Sequence, residues 1–125
     1  MELIPYFQTN KDQYTLWRRT IHSNPELAYQ EEATSEFVAE KLQSFGLDVV
    51  RNIGKTGLVA TLKNGASDRS VGLRADMDAL PIQETNTFSH RSKREGIMHA
   101  CGHDGHTVML LAAAQYLSQN RFYED

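Results

Sequence analysis

Five side chains able to ligate a metal ion fall within eight residues of one another: His99, Cys101, His103, Asp104 and His106, in the run HACGHDGH. Thiolate and imidazole are the donors that zinc and its neighbours prefer. Gly102 and Gly105 let the backbone turn tightly between them. A buried helix is expected to begin near Gly105 or His106, and the N–H groups at its start favour a thiolate. So dense a set points to metal binding; the plainer alternative is a polar helix-capping loop with an unused thiol.

A second constellation is Asp76 and Asp78, at the end of an apolar run. The C-terminal ends of strands are where open α/β sheets bind ligands. Residues two apart on an extended chain point the same way, so both carboxylates are expected to face one site, ligating a metal or holding a ligating imidazole by its second nitrogen. The alternative is that they are turn residues. His22 reads as the cationic end of a helix, complementing its dipole. His90 reads as a solvated loop residue, Trp17 and Phe37 as core, and the run Arg91, Lys93, Arg94 as a solvated face.

These groups need elements to carry them. Tyr14, Trp17 and Ile21 place one apolar stripe on a helix from about Asn10 to Ser23, stopped by Pro25. A second helix is expected from about Glu31 to Phe45, with Gly46 just past its end. Leu47 to Ile53 and Leu58 to Lys63 read as strands about a turn at Gly54 to Gly57. Ser70 to Ala75 reads as a third short strand, followed by a polar connection from about Gln83 to Gly96 of a length that is often functional. The last helix, through Val108, Leu111 and Leu117, is apolar almost all round and is expected to be buried. Helices, then strands, then a crossover and a buried helix suggest an α/β sandwich.

The chain has 125 residues, enough for one small domain. Apolar residues make up 40% and charged residues 23%, the balance of an ordinary globular protein. A net charge of −3 argues against nucleic acid as a partner. A single cysteine excludes an internal disulfide. The segment MELIPYFQTNKD lacks the apolar core of a secretory signal, and no apolar run approaches membrane-spanning length. The expected compartment is the cytoplasm, where the thiol stays reduced.

Four stretches carry a family resemblance: RRTIHSNPELAYQEEAT, TGLVATL, VGLRADMDALPIQE and GIMHACGHDGHTVMLLAAA. In them the chain resembles the M20 metallopeptidase family, in the branch of N-acyl-amino-acid amidohydrolases, hippurate hydrolases and auxin-conjugate hydrolases. The resemblance implies a phosphorylase/hydrolase-like α/β sandwich and a centre that takes two divalent metal ions, among Zn, Mn, Ni and Co. It implies Cys101 and His103 as metal ligands, the cysteine bridging, and Asp78 as the carboxylate that orients and polarises a metal-bound group. The implied substrate is a small N-acyl amino acid.

The family's general base is a glutamate in a Glu-Glu pair that follows this loop by some tens of residues. The chain reaches Asp125 without one, and Glu124 lies too close to His103 to match it. The final NRFYED also lacks the family's continuation into a strand. The expectation is therefore an incomplete catalytic domain over residues 1–125, with no dimerisation domain, weak metal binding and no turnover alone. Its partner would be a complementing C-terminal fragment or a second copy. Two alternatives stay open: a catalytically inactive metal-binding or interaction fragment, and an all-helical HD phosphohydrolase suggested by His103-Asp104.

Overall fold

The structure is a computed structural model, which describes residues 2–120. Four helices and one hairpin follow in the order α1 (Leu3–Thr9), α2 (Lys11–Ser23), α3 (Glu32–Ser44), β1 (Asp48–Ile53), β2 (Gly57–Thr61) and α4 (His103–Gln119). The fold is α/β, and the hairpin removes the all-helical alternative. No helix among the described residues is long and apolar enough to cross a membrane. The lack of a strand expected for NRFYED concerns residues 121–125, outside the described residues.

The apolar stripe of α2 buries Trp17 and Ile21 against Val38 and Leu42 of α3, Leu47, and Val108 and Leu111 of α4. Burial of this kind is worth roughly 1.5–3 kcal/mol for each large side chain, so this cluster sets the relative placement of α2, α3 and α4. Phe37, expected in the core, is half-buried at its margin.

The ends of α3 are fixed by separate devices. At its start the buried Glu26 carboxylate accepts the Thr34 amide at 2.6 Å and the Ala33 amide at 3.1 Å. A side chain six residues before the helix thus satisfies N–H groups that the helix itself leaves open. At its end Gly46 takes φ +86°, a conformation costly for any residue with a Cβ. Its N–H meets the Gln43 carbonyl and the Leu47 N–H meets that of Leu42, which closes the helix in a Schellman motif.

The hairpin is antiparallel, pairing Val49 with Ala60 and Val50 with Val59, with an irregularity between Arg51 and Ile53. Val49, Leu58 and Ala60 pack on the core, while Val50 and Val59 are exposed, as alternation on a one-sided sheet requires.

Three expectations change. The N-terminal segment adds α1, whose Pro5 sits in its first turn, where a missing N–H costs little. Residues 70–75 run without a ladder partner among the described residues, leaving Val71 87% and Leu73 60% exposed; a strand exists only through the neighbour it pairs with. Third, α4 starts at His103 and is buried on one side only: Thr107, Val108, Leu111 and Ala112 face inward, and Met109 is exposed. Its covering comes chiefly from α2 and α3, and α1 meets its last turns through Tyr6 and Phe7.

Candidate metal centre

Three chain segments separated in sequence meet at the start of α4. Leu27 bridges to Ala79, whose N–H donates to the Glu26 carbonyl at 2.7 Å, and Leu80 bridges to Met98. These single bridges bring Asp78 beside the loop that carries Cys101 and His103. Gly102 is the N-cap residue of α4 and has φ +86°. A Cβ there would meet only ordinary contacts, the nearest at 3.8 Å, so the need for glycine is conformational. Gly105, by contrast, lies within the helix, so the expected second tight turn does not form.

His103 is half-buried, and its Nδ1 lies 2.9 Å from Asp78 Oδ1 and 3.0 Å from the Asp78 carbonyl oxygen. Both partners are acceptors, so Nδ1 carries the proton and donates to them. Nε2 has no partner among the described residues. Cys101 is a free, exposed thiol. A thiol and an imidazole whose far nitrogen is fixed by a carboxylate are donor types that suit a divalent metal. Among the described residues, however, no three His, Cys, Asp or Glu side chains are grouped to hold an ion.

Asp76 does not join Asp78. It is exposed, and its Oδ1 accepts from Arg74 Nη2 at 2.9 Å and Nε at 3.1 Å, which holds its carboxyl below the usual range. Its backbone carbonyl instead accepts from Thr107 Oγ1 on α4 at 3.1 Å. The local ion pair, absent from an argument on strand alternation alone, gives the two aspartates different partners.

Behind this loop lies a buried ionic chain. Asp104 is 1% exposed, and its Oδ2 is 2.8 Å from His22 Nδ1 and 3.5 Å from Arg18 Nε. His22 Nε2 lies 3.1 Å from both Glu84 oxygens. Each ring nitrogen thus faces a group that accepts when ionised. His22 is therefore a buried linker; the end-of-helix dipole reading is replaced because partners 62 and 82 residues away take both nitrogens. Glu84 also accepts the Ser92 amide at 2.8 Å and the Asn86 side chain at 3.0 Å. Burial alone raises its pKa, but the Ser92 amide, Asn86 and His22 outweigh burial, and the net shift is downward.

Glu84 also organises the long polar connection, whose ends close through the Leu80–Met98 bridge. Arg91, Lys93 and Arg94 on it are exposed, as expected. His90 is half-buried and stacks on Phe88 with centroids 3.9 Å apart, near the His22 ring at 5.9 Å; it is thus less solvated than expected. His99 is 4% exposed, with neither ring nitrogen hydrogen-bonded. Burial lowers its pKa, His22 and His103 act the same way, and Asp104 and Asp78 oppose them. His106 is exposed, with its ring 6.0 Å from that of His103.

An α/β layer thus presents a Cys-Gly-His loop at a helix start, with an aspartate on the histidine. Residues 72–123 match the model of Peptidase family M20/M25/M40. The chain is 52% identical over 122 residues to a hippurate hydrolase of Campylobacter jejuni, covering 98% of this chain and 32% of that one. It is 56% identical over 105 residues to an N-acyl-L-amino acid amidohydrolase of Geobacillus stearothermophilus, covering 84% and 28%. Its fold matches the crystal structure of a dinuclear metal binding peptidase of the M20 family from Bacillus subtilis with a TM-score of 0.86 and 36% identity, over 91% of this chain and 32% of that one. The chain thus spans about a third of the length of these relatives.

Proposed function

We propose that this chain is the N-terminal portion of the catalytic domain of a metal-dependent amidohydrolase that cleaves the amide bond of N-acyl amino acids. In this reading Cys101 and His103 ligate a divalent metal, and Asp78 holds His103 in place. The observation that carries it is the Asp78 carboxylate 2.9 Å from His103 Nδ1, which leaves Nε2 as the donor. The substrate class is supported by the names of the hippurate and N-acyl-amino-acid hydrolases that the chain resembles.

A complete centre would hold two ions, of zinc, manganese, nickel or cobalt, supplying Lewis acidity and lowering the pKa of bound water. The residues of this chain have narrower tasks. Asp78 fixes the tautomer and orientation of His103, Gly102 gives the turn between the two ligands, and Cys101 offers a thiolate. Two ligands hold a metal less firmly than the three or four of typical catalytic and structural sites. The 125-residue chain alone therefore binds metal weakly and does not turn over. The exposed Val71 and Leu73 support pairing with a complementing C-terminal fragment or a second copy. Reliance on a reduced thiol fits a cytoplasmic enzyme.

The test is metal analysis of the untagged chain beside its Cys101→Ser variant, with an assay on N-benzoylglycine. The expected result is bound metal that falls in the variant, and no hydrolysis by either protein. Equal metal content in the two would remove Cys101 as a ligand. Robust hydrolysis by the chain alone would overturn the incomplete-centre reading.

A further inference from the structure

The buried Glu84–His22–Asp104 chain lies directly behind the proposed ligands, and none of its three members is one of them. Asp104 follows His103 in the first turn of α4 and is held by the Nδ1 side of His22 at 2.8 Å. The Nε2 side of the same ring reaches Glu84, which anchors the polar connection through the Ser92 amide. His22 is itself 4% exposed, at the end of α2. One ring thus ties the core helix to the first turn of α4 on one side and to the connection on the other.

We infer that His22 is a positioning residue for the proposed metal centre: through its Nδ1 contact to Asp104 it sets where the first turn of α4 begins, and so where His103 stands relative to Cys101. The inference deepens the metal-centre reading and rests on it. The arrangement follows a general pattern in which groups behind a ligand set metal affinity without touching the metal. Here the hold is one residue removed, on the residue next to the ligand, and it is directional. Only the Nδ1 contact acts on α4; the Nε2 contact acts on the connection.

That asymmetry gives the experiment. An asparagine amide nitrogen takes the place of a histidine Nδ1, and a glutamine amide nitrogen that of Nε2. His22→Asn therefore retains the Asp104 contact, and His22→Gln retains only the one to Glu84. The full chain is titrated with cobalt(II) while the thiolate-to-cobalt absorption is followed, and urea midpoints are measured in parallel. His22→Gln is expected to weaken cobalt binding by roughly 10-fold, the lower end for such supporting groups. His22→Asn and Glu84→Gln are expected to keep the wild-type affinity and band, although all three lose stability. Leu42→Ala, in the distant core, gives the reference for a fold weakened without effect on the centre.

Equal cobalt affinity in His22→Gln and wild type would overturn the inference, as would an equal loss in His22→Asn or Glu84→Gln. The last two variants keep that judgement open to refutation even where His22→Gln does not fold. Failure of the parent reading looks different: the cobalt band is absent in wild type or survives Cys101→Ser.

Discussion

The two ends of α4 are held by opposite kinds of force. At its start the contacts are polar and directional: Asp104 on the buried His22, and the half-buried His103 on Asp78. At its far end α1 lies across the helix through a cluster of rings. Tyr6 meets Tyr116 edge-on at 5.1 Å, and Phe7 lies 5.8 Å from Tyr116 and 6.3 Å from Tyr14. Two phenols finish the cluster, Tyr6 donating to Gln119 and Tyr14 to Gln115, each at 2.7 Å. Burial, and then the neighbouring Tyr6, push the Tyr14 phenol above its ordinary value, which keeps it a donor. The polar end fixes a geometry, and the aromatic end fixes only an approximate distance. The chemistry-bearing residues stand at the end where small displacements are costly.

The sharpest way to break that contrast is Asp104→Ala. It leaves His22 buried with Nδ1 facing no acceptor and Arg18 without its carboxylate. Removing one member of a buried pair costs about 3–5 kcal/mol. Urea unfolding should show a loss in that range. A loss below about 1 kcal/mol would mean that water replaces the missing carboxylate freely, and the polar end would then be no more exacting than the aromatic one.

A smaller, conditional effect is expected at Glu84. Its folded-state pKa lies below the unfolded value near 4.5. A carboxyl depressed in this way contributes stability that is complete above the unfolded pKa and is lost as pH falls through the folded one. Wild type should therefore exceed Glu84→Gln in urea midpoint at pH 7, with the gap narrowing as pH drops from about 5 toward 3. A gap that stays constant over that interval would show that the carboxylate acts through shape rather than charge.

How far this could be read from the sequence follows the same division. The stripe Tyr14, Trp17, Ile21 and the alternation Leu58, Ala60 located α2 and β2 because apolar periodicity is local. The ends of α3 were legible for the same reason, Gly46 marking one of them. The cluster around Cys101 stood out by density alone. The connection between His22 and Glu84 could not be read, because its partners lie 62 residues apart and each has an ordinary local explanation. Glu26 was equally hidden: a cap is sought next to its helix, and this one reaches back from a preceding loop. α1 escaped because its 7 residues are too few to show a period. The segment 70–75 was read as a strand from its own residues, whereas pairing depends on a neighbour.

The smallest expected effect lies at the aromatic end. Tyr6→Phe removes only the hydroxyl that donates to Gln119, in a contact open to water. Such a bond is exchanged for one to solvent, and its net worth lies at the low end of the usual range, about 0.5 kcal/mol. The ring contacts with Phe7 and Tyr116 survive the change. The urea midpoint should therefore hardly move, and cobalt binding should not move at all. A loss above about 1.5 kcal/mol would show that the phenol sets the angle of α1 on α4. Both ends of the helix would then be geometrically exacting, and the division between a directional start and a tolerant finish would not hold.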